Sequence, residues 1–256
     1  MLSVNNLKIE FFDHELPEIA VEDVDFVLND GEILGIVGES GSGKSMTAMA
    51  VAGLLNRKDM KKSGEILFDD IDILNSQRKV IRKLQGKDIG FVFQDPLNSM
   101  NPVMKVGYQV EEALRVRKKE LNIDRNEMKA KALTAMEKAG LTEVERIYNS
   151  YPHELSGGQR QRAQIAAAII MNPKLLICDE PTTALDVTVQ KKIIDLLKQM
   201  SKDTGMSILF ISHDLSVVKA LCDRVLVMKD GKVVEEGKTA DIFGNPSMEY
   251  TKELIY

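Results

Sequence analysis

Gly38-Glu39-Ser40-Gly41-Ser42-Gly43-Lys44-Ser45 is the stretch on which the reading of this chain turns. It fits the pattern G-x-x-x-x-G-K-[ST], whose spacing has a chemical reason. The glycines let the backbone curl until successive N–H groups face one point, a cradle for phosphate oxygens. A helix that starts inside the cradle adds the positive end of its dipole. The lysine reaches the outer phosphates, and the serine hydroxyl is a ligand for a hydrated divalent cation. The flanks suit this, because Ile33–Val37 is a short apolar run of strand type and Met46–Leu55 reads as helix. Taken alone, the loop predicts nucleotide binding and does not separate one class of phosphate-handling protein from another.

Working outward, strands are predicted near Ser3–Phe11, Ala20–Leu28, Gly64–Phe68 and Asp88–Phe93. From Val106 to Ile147 the pattern turns helical, with Met128, Ala132, Met136 and Ala139 at helical spacing and Gly140 placed to stop that helix. Helix and strand then alternate: Gly157–Ile170, Leu175–Cys178, Val187–Ser201, Ile208–Ile211, Leu215–Leu221, Arg224–Met228. The expected fold is α/β with a mostly parallel core sheet, an antiparallel β-subdomain at the start and a helical insertion at roughly 95–170, all in a single domain over 1–256.

Leu175-Leu176-Ile177-Cys178-Asp179-Glu180 is a second chemical element: an apolar strand that ends in two carboxylates. Such a strand delivers Asp179 to the shell of a magnesium ion, and Glu180 directly after it is a candidate to polarise an attacking water. Composition sets the remaining bounds. The 256 residues are 44% hydrophobic and 29% charged, as in ordinary globular proteins. A net charge of -5 argues against nucleic acid as a partner. No stretch approaches the ~18 consecutive apolar residues that span a bilayer. The opening MLSVNNLKIEFF has no basic region leading into an apolar run, so no secretory signal is expected. Cys178 and Cys222 sit apart in apolar surroundings and are expected as reduced, buried side chains.

Between the two elements stands Leu155-Ser156-Gly157-Gly158-Gln159, followed by Arg160-Gln161-Arg162. This resembles the signature sequence of ATP-binding-cassette (ABC) ATPases. The likeness runs in order along the chain: Gln94 at the Q-loop, Thr183-Ala184-Leu185-Asp186 at the D-loop, and His213 at the switch histidine. It covers essentially all of the sequence. The resemblance implies a P-loop ATPase that binds ATP and Mg²⁺. Gly38, Ser40, Gly41, Ser42, Gly43, Lys44, Ser45 and Met46 would hold the nucleotide, and Ser45, Gln94 and Asp179 the metal. Glu180, His213 and Gln94 would act in hydrolysis. Leu155 to Gln159 would face the nucleotide of a second cassette, with Asp186 at the junction. An aromatic is expected to stack on adenine; Phe11 holds that slot, Phe12 is its neighbour, and a plain core role for Phe11 is the alternative. His14 and His153 have no such slot and are expected to be structural.

Gln94-Asp95-Pro96-Leu97-Asn98-Ser99-Met100-Asn101-Pro102 is similar to the F-Q-D-P-x-x-S-L-N-P segment of oligopeptide, dipeptide and nickel importers. Ser150-Tyr151-Pro152-His153-Glu154, Glu180 through Gln190, and Val234-Glu235-Glu236-Gly237 with Asn245-Pro246 resemble the same branch. The implied partners are two membrane-spanning permeases, a second similar ATPase (a heterodimer, or else a homodimer) and an extracytoplasmic solute-binding protein. The implied place is the cytoplasmic face of the membrane. Peptides are the first substrate reading and nickel the alternative. Some peptide-importing members hold an iron–sulfur cluster in a later cysteine-bearing tail; no cysteine follows Cys222 here, so no such cluster is expected.

Cassettes that act on DNA carry a long coiled coil between the phosphate loop and the signature, for which no heptad pattern is found here. Ribosome-associated members carry two tandem cassettes, and exporters are fused to membrane helices. A non-hydrolysing module would lack Glu180 or His213. Met100, Val103, Met104 and Val106 have two readings, as core or as an exposed groove for a short permease helix, and the turn-forming Asn98, Asn101 and Pro102 favour the groove.

Overall fold

A computed structural model of the chain describes residues 1–12, 17–95, 99–183 and 185–255. His14, the Pro96–Asn98 part of the importer-like segment and Ala184 of the D-loop lie outside the described residues.

Two sheets share the work. β1 (Leu2–Phe11) and β2 (Glu18–Leu28) alternate buried and open positions, as strands with one wet face do, and pair antiparallel. β3 (Ile33–Val37) is buried at every position and belongs to the second sheet. After it come helix α1 (Lys44–Val51), β4 (Met60–Phe68), the two-residue β5 (Ile71–Asp72), α2 (Arg78–Leu84) and β6 (Ile89–Val92). The first sheet has the order β2-β1-β4-β5, all antiparallel. Helix α1 stops at Val51, short of the expected Leu55, because Gly53 takes a left-handed φ of 65°.

A run of helices follows: α3 (Val106–Val110), α4 (Glu112–Val116), α5 (Lys118–Leu121), α6 (Arg125–Lys138), α7 (Val144–Asn149) and, after a 3₁₀ turn at Pro152–Glu154, α8 (Gly157–Ile169). In α6 the buried side chains are Met128, Ala132, Ala135 and Met136, and a capping box between Asp124 and Glu127 fixes its start. Gly140, with φ 74°, ends it. Helix α6 packs on α8, and α3 packs on α7 and α8.

The chain then returns to the second sheet with β7 (Leu175–Asp179), α9 (Val187–Thr204), β8 (Ser207–Ile211), α10 (Leu215–Leu221), β9 (Arg224–Lys229) and β10 (Lys232–Lys238). Helices α11 (Thr239–Gly244) and α12 (Glu249–Ile255) follow. The strand order is β10-β9-β3-β8-β7-β6, parallel throughout except for β10. Strands β7 and β8, like β3, are buried at every position, as apolar parallel strands covered on both faces must be. In this order β3, β8, β7 and β6 are neighbours, so the loops leaving their C-terminal ends open on one edge. That edge is where ligands of open parallel sheets bind.

Candidate nucleotide site

The loop after β3 is held in a shape that only glycine tolerates at two places. Gly38 has φ 147°, and a Cβ there would lie 2.1 Å from the carbonyl oxygen of Met228. Gly43 has φ 97°, and its Cβ would lie 2.6 Å from the carbonyl oxygen of Ala20. The backbone therefore fits between β9 and β2 because those side chains are missing. Lys44 is buried, and its Nζ donates to the carbonyls of Gly38 (2.8 Å) and Glu39 (2.7 Å) and to Ser42 Oγ (3.3 Å). Burial pulls its pKa down, while Glu180, Asp179 and Glu39 pull it up.

At the end of β7 the Asp179 carboxylate accepts from Ser45 Oγ at 2.9 Å. Burial pushes Asp179 above its ordinary value, partly offset by that bond. Glu180 follows with φ 46°, a left-handed conformation uncommon for a side chain of this type. Its N–H donates to Ile211 O, which ties it to β8. Its Oε2 accepts from Gln94 Nε2 at 2.9 Å and from Thr183 Oγ1 at 2.9 Å. His213 Nδ1, from the loop after β8, lies 3.1 Å from the same oxygen and donates to it when that nitrogen carries the proton. Gln94 thus bonds Glu180, and the Ser45–Asp179 pair stands beside it without Gln94. Four loops from four neighbouring strands meet at this point.

A cavity of ≈340 Å³ lies over the loop, lined by Ser40, Gly41, Gly43, Lys44, Ser45, Met46, Gln94, Glu180 and Phe11. Phe11, not the half-exposed Phe12, faces it, and the Arg57 guanidinium covers the Phe11 ring at 5.0 Å. Glu18, Ile19 and Ala20, at the start of β2, complete the wall. Sequence reasoning missed these three, since nothing in their residue types marks them. Among the described residues, none of Leu155, Ser156, Gly157, Gly158 and Gln159 lines this cavity.

Those residues instead start helix α8. Leu155 is buried, and Ser156 is the N-cap. Ser156 Oγ accepts from Gln159 N at 3.2 Å, and Gln159 Oε1 accepts from Ser156 N at 3.0 Å. This reciprocal pair gives Gln159 a local reason for its place. The start of α9 packs alongside: a Cβ on Gly158 would meet Val189 Cγ1 at 2.9 Å, and Asp186 caps α9 by accepting from Val189 N. His153 stacks on Tyr151, with ring centroids 5.7 Å apart.

The family model described as ABC transporter matches residues 21–183, more than half of the chain. The chain belongs to the ABC transporter family. It is the ATP-binding, ATP-hydrolysing cassette of such a transporter. The oligopeptide transport ATP-binding protein AppD of Bacillus subtilis is 43% identical over 256 residues, covering 100% of this cassette and 77% of that protein. The dipeptide transport ATP-binding protein DppD of Haemophilus influenzae is 42% identical, covering 100% of the cassette and 76% of its own length. Among solved structures, the ATP-binding cassette MJ0796, a dimer in a post-hydrolysis state bound to ADP and Pi, matches with a TM-score of 0.84 and 31% identity. That match covers 93% of this cassette and 99% of the other chain. No helix among the described residues is long and apolar enough to cross a membrane.

A second cavity, of ≈700 Å³, opens between the sheet and the helical region. Phe91, Phe93, Met100, Ala113 and Val116 line it, together with Arg117. Phe93 and Val116 are exposed there, Val116 at 76%. Of the four residues that the sequence offered for a groove, Met100 lines this cavity and Val106 is fully buried in the core. Val103 points to solvent at 79% exposure and Met104 is half-buried. Gln109 folds that segment into a turn by donating to the carbonyls of Asn101 and Met104. Neither the core reading nor the groove reading therefore holds for all four.

Proposed function

We propose that this cassette hydrolyses ATP with Mg²⁺ at the site built by Gly38–Met46, Asp179, Glu180, Gln94 and His213, and so powers the import of di- and oligopeptides. The observation that carries the hydrolytic reading is the single oxygen of Glu180 on which Gln94, Thr183 and His213 converge. A carboxylate so held, at the open edge of the cavity, is oriented to take a proton from a water beside the γ-phosphate. Lys44 keeps Gly38 O as one acceptor and turns its other N–H groups to β- and γ-phosphate oxygens, and the loop amides and the start of α1 complete the cradle. His213, more exposed than Glu180, steadies the water and the γ-phosphate.

The fit to Mg²⁺ rests on the donors. Ser45 Oγ and the Asp179 carboxylate are hard oxygen ligands 2.9 Å apart, and burial makes the Asp179 charge costly without a cation. Among the described residues no cluster of three or more metal-binding side chains exists, which suits an ion that draws its other ligands from phosphate and water. Bound there, the ion would neutralise charge on the β- and γ-phosphates. Gln94 is a further candidate for that shell once it leaves Glu180. Phe11 stacks on adenine.

The signature residues do not line the chain's own cavity, which supports a pair of cassettes in which Ser156 of one addresses the nucleotide of the other, with Asp186 at the junction. The pair is read as a heterodimer with a similar ATPase. It sits on two permeases at the cytoplasmic face of the membrane, with residues of roughly 95–170 as the docking lobe, and takes its substrate from a solute-binding protein through the permease. Peptides are preferred over nickel because relatives such as AppD and DppD carry oligopeptide and dipeptide transport in their names. Reconstituted with permeases, sister cassette and binding protein, the complex is expected to accumulate labelled peptide only with ATP. Uptake of nickel but not peptide would overturn the substrate, and ATP-independent peptide uptake would overturn the motor.

A further inference from the structure

Helix α12 touches the phosphate loop from behind. Tyr250, 8% exposed, lies one residue into this helix, and its hydroxyl accepts from the backbone N–H of Glu39 at 3.2 Å. That N–H belongs to the peptide unit between Gly38 and Glu39. The carbonyl at the other end of the same unit, Gly38 O, accepts from Lys44 Nζ at 2.8 Å. One planar amide is thus gripped at both poles, by a phenol on its nitrogen side and by the phosphate lysine on its oxygen side.

The grip matters because of what surrounds the amide. Gly38 has no Cβ to resist rotation, and Glu39, Ser40 and Gly41 are exposed. Turning the amide over would aim N–H instead of C=O at the Lys44 ammonium. The Lys44 ammonium, a donor only, therefore selects the orientation, and the Tyr250 hydroxyl anchors the opposite edge of the same amide and keeps the unit in place. The phenol is itself fixed. The Lys229 ammonium lies 4.5 Å over its ring. Just before α12, Glu235 of β10 accepts from Ser247 N (2.7 Å), Ser247 Oγ (2.7 Å) and Met248 N (3.2 Å). Burial pushes the Glu235 carboxyl up, but the Thr251 hydroxyl first and then these donors hold it down at about 2, so it stays charged at neutral pH.

We infer that Tyr250 is a positioning residue for Lys44: its hydroxyl sets the Gly38–Glu39 amide, and that amide presents the lysine to the nucleotide. The inference rests on the reading of Gly38–Ser45 as the phosphate loop. Tyr250→Phe keeps the ring, its burial and the Lys229 contact, and removes only the hydroxyl. The full chain is titrated with fluorescent MANT-ATP while amide hydrogen exchange is followed residue by residue.

The expected result is an affinity lower by about fivefold, the scale of one ordinary hydrogen bond. Exchange at Glu39 N–H should quicken with the β3 amides unchanged, and the melting temperature of the nucleotide-free chain should fall by no more than the roughly 2–4 °C of one lost hydrogen bond. A packing role alone does not move Glu39 while sparing β3. An unchanged affinity in Tyr250→Phe overturns the proposal, and so does a general loosening of β3 and α12 with Glu39 no faster than its neighbours. Tyr250→Ala, which also loses the ring, must weaken binding at least as much; wild-type affinity there refutes the proposal outright. A wild-type chain that does not bind MANT-ATP sinks the phosphate-loop reading, and this one with it.

Discussion

Gln94 donates from Nε2 to Oε2 of Glu180 at 2.9 Å, across 86 residues of sequence. The residue that leads into the helical region and the proposed base are therefore in direct contact. Glu180→Gln is the sharpest probe of this oxygen. A glutamine carbonyl still accepts from Gln94, Thr183 and His213, so the cluster and ATP binding should survive. Turnover should fall by ~10²-fold or more, the range for loss of a general base. Steady-state ATPase assays of the assembled transporter, with MANT-ATP titration as control, give both numbers. Near-normal turnover would make Glu180 a structural acid.

Gly38→Ala should fail for a different reason. The new methyl would sit 2.1 Å from Met228 O on a backbone with φ 147°, so the loop or β9 must move. We expect loss of several kcal/mol of stability, at the upper end for single substitutions, and no measurable ATP binding. Gly41→Ala, where nothing lies within 4 Å but φ is 86°, should cost less. Thermal melts of the two variants side by side test the ranking.

Ser156→Ala separates two roles. It removes the N-cap of α8, worth about 1 kcal/mol, and so should lower the melting temperature by roughly 2–4 °C for a chain of this size. MANT-ATP affinity of the isolated chain should hold, because Ser156 does not line its cavity. ATPase activity of the assembled pair should drop at the site on the sister cassette. A large affinity loss in the isolated chain would contradict a role in trans.

Val116→Glu tests the second cavity. The side chain is 76% exposed, so a charge there should leave the fold and ATP affinity of the isolated chain intact. If the cavity receives a permease segment, the charge must be desolvated on docking, and transport-coupled ATPase should be lost. Met104→Glu, outside the cavity lining, should be the milder variant in the same transport assay. The reverse ranking would move the docking surface to the Asn101–Met104 turn.

What was legible from sequence was what is local. The phosphate loop, the β7 carboxylates and the α8 cap are each written in consecutive residues, where glycine placement, apolar runs and capping chemistry act directly. Edge elements were harder. In β10 the positions from Val233 to Glu235 are all partly exposed, so no clean alternation marks a strand. Residues 234–237 resemble the importer branch in sequence but carry no strand signal. The wall at Glu18–Ala20 and the cavity between Phe93 and Val116 join residues far apart in sequence. The hydroxyl of Tyr250 meets Glu39 from 211 residues away. No spacing rule reaches that far; the contact exists because β9 and β3 are neighbours in the sheet.

Eight non-glycine residues among those described have positive φ, and six of them are Asn or Asp, whose short side chains suit that conformation. Glu143 and Glu180 are the exceptions. At Glu180 the left-handed turn costs of the order of 1 kcal/mol, and the three donors that converge on its carboxylate offset that cost. A glycine would shed the strain and lose those bonds together. The fold therefore has little stake in which residue stands here; it is the demand for ATP turnover that selects glutamate.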